Sequence, residues 1–227
     1  MLNECKEVLV VGAHPDDEVL GVGGTIPLLR ERGANVTVVI VTDGSSTQYA
    51  GDEAVKEVKS KNLLAANRII GTDDVRHWNF PDMRLDTVVH VELNQAFERL
   101  LDEKAFDTVF VHHAHDINLD HQMIHRSVMV ATRPAPGQTV RRILSYHVNS
   151  ATEWGARSPH TAFFPNVFID ISRTIQKKLD ALKCYGVELR QYPHPRTLEA
   201  VANRAKVFGA EVGYEYAEAF NLLLYRG

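Results

Sequence analysis

Short, continuous apolar runs alternate with longer amphipathic stretches along most of the chain. Residues 8–11 (Val-Leu-Val-Val) and 36–41 are β-branched runs of strand length without polar alternation, the signature of strands buried on both faces. The first run ends in Gly12-Ala13-His14-Pro15, a turn signal. A helical stretch over residues 17–32 follows, stopped by Gly33, with Pro27 predicting a kink or an early break. The pattern then predicts a helix over 55–70 closed by Gly71, a short strand over 76–79, a helix over 88–103, a strand over 107–112 and a helix over 120–132. Strands over 143–148 and 167–171 and helices over 175–185 and 198–208 complete the series. This alternation predicts an α/β fold, a mostly parallel sheet flanked by helices on both faces. With no repeat, low-complexity tract or linker, residues 1–227 read as a single domain, which their number supports. Residues 158–165 and 191–196, rich in Pro, His and aromatic side chains, read as loops lying over something.

In open parallel sheets, ligands bind outside the carboxyl ends of the strands. That rule directs attention to the turns after Val11 and Phe110. Composition narrows the choice of ligand. The chain is 44% hydrophobic and 24% charged, with a net charge of −4, so it has no basic footprint for nucleic acid or an anionic membrane surface. Its longest apolar runs are far too short to span a bilayer. Two cysteines, Cys5 and Cys184, form no CxxC pair, and no signal-peptide pattern opens the chain; the expectation is a reduced, cytoplasmic protein. Eleven histidines are more informative, because five of them fall between positions 112 and 125.

At the first turn stand His14, Pro15, Asp16, Asp17 and Glu18. One Asp there is explained by helix capping and by the helix dipole. Two adjacent Asp residues, a Glu and a His invite a metal or acid–base reading as well, and on this stretch alone both stand. His14 and Asp17 can converge on one ion if the turn curls, leaving Asp16 free to accept a proton. Gly21, Gly23 and Gly24 do not form GxGxxG, so a dinucleotide fingerprint is absent and close packing of helix on sheet is their expected use.

At the second turn, His112-His113-Ala114-His115-Asp116 leaves a strand and Asp120-His121 opens a helix. His121 and His125 share a helix face, but position 122 is Gln where HExxH has a Glu next to its first His. The favoured arrangement uses His121 alone, with His125 one turn deeper as a structural residue and His112 ending a buried strand. His113 and Asp116 lie in the loop and are candidates for substrate contact.

Together these stretches resemble the PIG-L/LmbE-like deacetylases. The resemblance rests on Ala13-His14-Pro15-Asp16-Asp17-Glu18 and Asp120-His121, with Gly23-Gly24, Ile70-Gly71 and Phe80-Pro81-Asp82 between them, and covers roughly the first 135 residues. It implies a Rossmann-like fold and hydrolysis of the acetamide of an N-acetylated sugar. It further implies one Zn2+ held by His14, Asp17 and His121, other divalent metals such as iron or cobalt suiting the same ligands. Asp16 would be the general base for an attacking water, and Asp120 would orient a neighbouring imidazole. Where the family carries a His that stabilises the tetrahedral intermediate, this chain has Asn118, which donates a hydrogen bond but carries no charge. His113 and His194 are the candidates to supply what Asn118 lacks. The family's Arg and Glu on the helix before Gly71 are represented by Lys59 and Asn62.

The run 116–121 followed by Ala131-Thr132-Arg133-Pro134 also looks like a bacterial subgroup tied to surface-polysaccharide and sugar-antibiotic biosynthesis, which implies a nucleotide-linked or otherwise activated amino sugar. Arg84, Arg133, Arg196 and Trp154 are candidate sugar or phosphate contacts. The expected partner is a small-molecule N-acetyl sugar or nucleotide sugar, with homo-oligomerisation left open. The alternatives are an amidase on a non-sugar or thiol-conjugate amide, and a non-catalytic binding module of the same fold.

Overall fold

The structure is a computed structural model that describes residues 2–45, 47 and 52–227. Its strands are β1 (Glu7–Gly12), β2 (Asn35–Thr42), β3 (Asp74–Phe80), β4 (Thr108–His112), β5 (Arg142–Tyr146), β6 (Val167–Asp170) and β7 (Ala217–Tyr225). They form one sheet in the order β3-β2-β1-β4-β5-β7-β6. The first five pair in parallel, and β7 runs antiparallel to both β5 and β6. The helices are α1 (Asp17–Val22), α2 (Thr25–Glu31), α3 (Glu53–Ile70), α4 (His90–Glu103), α5 (Leu119–Ala131), α6 (Ile175–Cys184) and α7 (Leu198–Val212). Among the described residues no helix is long and apolar enough to cross a membrane.

The continuous apolar runs are explained by two cores, one on each face of the sheet. Val8 and Val10 of β1 join Val36, Val38 and Ile40 of β2 beneath side chains from α1, α2, α3, α6 and α7. The alternate residues, Leu9, Val11, Val39 and Val41, pack on the other face against Leu93 and Phe97 of α4 and Ile124 and Val128 of α5. Each such side chain, fully buried, contributes about 1.5–3 kcal/mol, so both faces of these strands are held by apolar packing.

Two features depart from the sequence pattern. The stretch 17–32 is two helices, broken at Gly23-Gly24 rather than at Pro27. Pro27 occupies the first turn of α2, where its missing N–H leaves no intrahelical bond unmade. The second departure is β7, which the pattern did not predict. It inserts between β5 and β6 and makes the sheet mixed at that edge.

The chain builds outward from β1 to β2 and β3, then returns to the other side of β1 with β4 and β5. The crevice at the carboxyl ends of β1 and β4 is therefore the topological switch point, where open α/β sheets bind their ligands. The acid-rich turn after β1 and the histidine-rich turn after β4 both open onto it.

Candidate active site

Asp17, the first residue of α1, is drawn back over the end of β1. Its Oδ2 accepts hydrogen bonds from the backbone N–H groups of Ala13 and His14, both at 2.9 Å. The same oxygen lies 3.0 Å from His112 Nε2. Two further imidazole nitrogens approach it: His14 Nδ1 at 3.5 Å and His121 Nε2 at 3.4 Å. His14 Nδ1 and His121 Nε2 are themselves 3.4 Å apart. Ligands about 2.0–2.2 Å from a tetrahedral zinc are separated by about 3.3–3.6 Å. Spacing and donor chemistry of this His–Asp–His set therefore fit a zinc-sized cation.

Carboxylates behind the two imidazoles fix which nitrogen faces the cluster. Asp120 Oδ2 is 3.2 Å from His14 Nε2, so His14 turns its Nδ1 inward. Asp120 is anchored in turn by the backbone N–H groups of Met83 and Leu85, at 2.7 and 3.0 Å. Asp116 Oδ2 lies 3.2 Å from His121 Nδ1 and accepts from Thr152 Oγ1 at 2.8 Å, so His121 turns its Nε2 inward. Carboxylate–imidazole pairs of this kind orient metal ligands and raise their basicity. A second set, His14, Asp82 and Asp120, also has ligand atoms close together. It would use His14 Nε2 with two carboxylates and leave out His121, so it offers one imidazole where the first set offers two. The first set is the better metal candidate.

Charge follows from this packing. Burial alone would push the His14 and His121 imidazoles down. Asp120 and Asp17 outweigh it at His14, which rises to about 10, and Asp17 and Asp116 do so at His121, which rises to about 9. Burial would raise Asp17, but the His121 and His112 imidazoles hold it well below the usual carboxylate range. The cluster thus demands positive charge, from protons or from a metal. His112, lowered to about 4 chiefly by burial, stays neutral beside Asp17.

Asp16 is buried and stands one residue from this set, but it does not cap α1 with its side chain. Its backbone lies at φ 130°, a region L-residues rarely adopt and which costs about 1–3 kcal/mol. Glu18 helps hold it there, accepting from Asp16 N at 3.2 Å while bonding Asn67 of α3 and Tyr185 just past α6. Burial, only partly offset by Arg196, raises Asp16 to about 7. The capping explanation for the acids of this turn is therefore set aside. Asp17 folds back on the preceding loop, Glu18 ties helices together, and Asp16 faces a cleft.

That cleft has a volume of about 170 Å3 and is lined by His14, Asp16, Asp82, Met83, Asn118 and the Lys59–Glu188–Arg196 row, among others. Asn118 caps α5, its Oδ1 accepting from Asp120 N at 2.9 Å, and its Nδ2 side reaches Met83 Sδ at 3.5 Å.

Residues 9–132 match the family described as GlcNAc-PI de-N-acetylase, PIG-L. The chain belongs to this family. It is 30% identical over 192 residues to the uncharacterized deacetylase YaiS of Escherichia coli, covering 80% of this chain and 91% of the relative. It is 26% identical over 195 residues to a probable N-acetyl-alpha-D-glucosaminyl L-malate deacetylase of Bacillus anthracis, covering 82% of each. The N,N'-diacetylchitobiose deacetylase of Pyrococcus horikoshii shares the fold, with a TM-score of 0.79 at 20% identity over 98% of this chain and 85% of that one.

The PIG-L match ends at residue 132, yet the cleft draws Glu188 and Arg196 from beyond it. Several residues singled out in the sequence stand elsewhere. His113 directs Nε2 to the Thr161 carbonyl at 2.8 Å and packs edge-on against Phe163, away from the cleft. Asp116 is buried behind His121 and is not a cleft residue. His194 accepts from Arg196 N and meets Trp154 edge to face; the side chain that reaches Asp16 is Arg196, two residues on, at 3.3 Å. Trp154 is half-exposed rather than core. Arg84 is exposed beside the cleft residue Met83, and Arg133 pairs with Glu98 beyond the far end of α5. His125 is structural, its Nδ1 bonded to the His112 carbonyl. His112 ends β4 as the pattern predicts, but its Nε2 also braces Asp17. Glu188 carried no sequence signal: it is a single acid in an irregular segment.

Proposed function

We propose that the chain is a metal-dependent N-deacetylase that hydrolyses the acetamide of an N-acetylated amino sugar, releasing acetate and a free amine. The observation that carries this reading is the meeting of His14 Nδ1, Asp17 Oδ2 and His121 Nε2 at 3.4–3.5 Å, with a buried carboxylate outside that set one residue away. The activities of the relatives agree with it. A divalent metal, zinc by the chemistry of the ligands, would be held by His14, Asp17 and His121 and would supply Lewis-acid polarisation and a more acidic water.

The chain's own groups do the rest. Asp16, near 7, takes a proton from the attacking water and returns it to the departing amine nitrogen, which suits a group poised between its two forms at neutral pH. Asn118 Nδ2 is the described side-chain amide on the cleft and donates to the oxygen that gains charge as water adds to the carbonyl. Asp120 and Asp116 keep the two imidazoles aimed. Of the arginines considered for a linked phosphate, Arg84 and Arg133 do not line the cleft, and Arg196, which does, already stands opposite Asp16 and Glu188, so the reading is confined to the amino sugar itself.

The test is acetate release from a panel of N-acetyl sugars by metal-loaded wild type and Asp16→Asn, with metal content measured on both. Release that falls by about 100-fold or more in a variant retaining its metal supports the reading. Equal release by the two proteins would remove Asp16 as the base, and absence of release from every sugar would remove the substrate class.

A further inference from the structure

One wall of the cleft is built from charged groups of alternating sign. Starting at Asp16, Arg196 Nη1 lies 3.3 Å from Asp16 Oδ2 and 3.7 Å from Glu188 Oε2, and Glu188 Oε1 lies 3.1 Å from Lys59 Nζ. Lys59 comes from α3, Glu188 from the segment after α6, and Arg196 from just before α7. Two parts of the chain, α3 and the connection between α6 and α7, thus place an acceptor between two donors on the same surface.

We propose that Glu188, flanked by Lys59 and Arg196, determines specificity by reading the ring hydroxyls of the acetamido sugar, and that the group recognised on this wall is a neutral polyol rather than a phosphate or carboxylate. The inference rests on the deacetylase reading of the site and adds the feature that selects its substrate. Charge balance is the first argument. Among the groups lining the cleft, Asp16 and Glu188 stand opposite Arg196 and Lys59, and Asp82 adds a further carboxylate, so an anionic ligand finds each lining cation already opposite a carboxylate; Arg190, near Glu188, lies outside the lining. Hydrogen-bonding capacity is the second. A carboxylate accepts at about four lone-pair sites. The cationic partners of Glu188 Oε2, Arg196 and Arg190, stand at 3.7 and 3.8 Å, beyond hydrogen-bond distance, so that oxygen retains acceptor capacity in a cleft wall. A hydroxyl both donates and accepts, and vicinal hydroxyls match an acceptor set between two donors. Location is the third argument. Arg196 joins this wall to Asp16, so a substrate with its acetamide at Asp16 lays its neighbouring ring positions along the wall.

The experiment compares acetate release from N-acetylglucosamine and its 3-deoxy, 4-deoxy and 6-deoxy analogues, with N-acetylglucosamine 6-phosphate as the anionic probe. The proteins are metal-loaded wild type, Glu188→Gln and Glu188→Ala. Wild type is expected to lose about 10-fold or more in kcat/KM on at least one deoxy analogue, because a site built to pair a hydroxyl rejects the analogue lacking it. In both variants that discrimination should shrink to about 2-fold, through a raised KM on the parent sugar. Equal losses on the parent and on every deoxy analogue would make Glu188 a structural prop and overturn the inference, as would a wild-type preference for the 6-phosphate.

Binding of the same sugars to metal-loaded Asp16→Asn, with and without Glu188→Gln, separates the two readings. Glu188-dependent sugar binding without acetate release by wild type overturns the deacetylase reading and keeps the wall. Release that is indifferent to Glu188 keeps the enzyme and overturns the wall. Neither binding nor release overturns both.

Discussion

His14 and His121 present opposite ring nitrogens to one point, because Asp120 sits behind the first and Asp116 behind the second. The carboxylates that aim these rings also raise their proton affinity, to about 10 and about 9. Both rings therefore carry an extra proton at pH 7 without metal, and a metal must displace it. Apparent metal affinity is expected to rise with pH between 6 and 8, by about 10- to 100-fold per pH unit for one or two protons released. Chelator-competition titrations at several pH values check this, and an affinity independent of pH would show that the rings are neutral before the metal arrives. His14, Asp16, Asp17 and His121 were legible in the sequence because their types and spacing leave few other uses at a strand-to-helix turn. His113 and Asp116 were not, since the direction of a loop side chain is set by what it packs on: the Thr161 carbonyl for one and Thr152 for the other.

Among the elements, α1 is decisive, because its first residue is Asp17 and its N-terminus follows Asp16. It lies so close to β5 that a Cβ on Gly21 would overlap the Tyr146 ring. Tyr146 in turn donates to the Val11 carbonyl and approaches His112 Nε2, so the contact joins the helix to the floor of the site. Gly21→Ala gains about 1 kcal/mol of helix propensity but overpacks a filled site, which costs about 1–3 kcal/mol. The second effect is expected to win, lowering the denaturant midpoint and weakening metal binding together. A variant as stable as wild type would mean that α1 can lift without penalty. The parallel strands were legible as unbroken apolar runs. β7 was not, because a buried acid, Glu218, interrupts its apolar start and its later residues are half-exposed.

At the scale of the molecule, Glu218 is also what fastens the last strand to the first helices. It accepts from Gly24 N and Thr25 N at 2.8 Å and pairs with Lys178 Nζ at 2.6 Å, all buried. Lys178→Met leaves that carboxylate without its cation and is expected to cost about 3–5 kcal/mol in chemical denaturation, part of which Lys178→Met with Glu218→Gln recovers. Equal stability of the single and double variants would show that the unpaired carboxylate is not the source of the loss. The half of the fold that holds His14, Asp17 and His121 was readable from pattern and motif. In the half that follows, Arg196 stood among the candidate sugar or phosphate contacts, but Glu188 and β7 were not readable, because their contribution depends on contacts between distant segments. The insertion of β7 between β5 and β6 also bears on how the protein is made. During synthesis the half that carries His14, Asp17 and His121 emerges first, and β5 waits with one hydrogen-bonding edge open until some seventy further residues have followed. A nascent chain paused in that interval presents β5 as an unpaired sheet border, the kind of edge on which neighbouring chains aggregate.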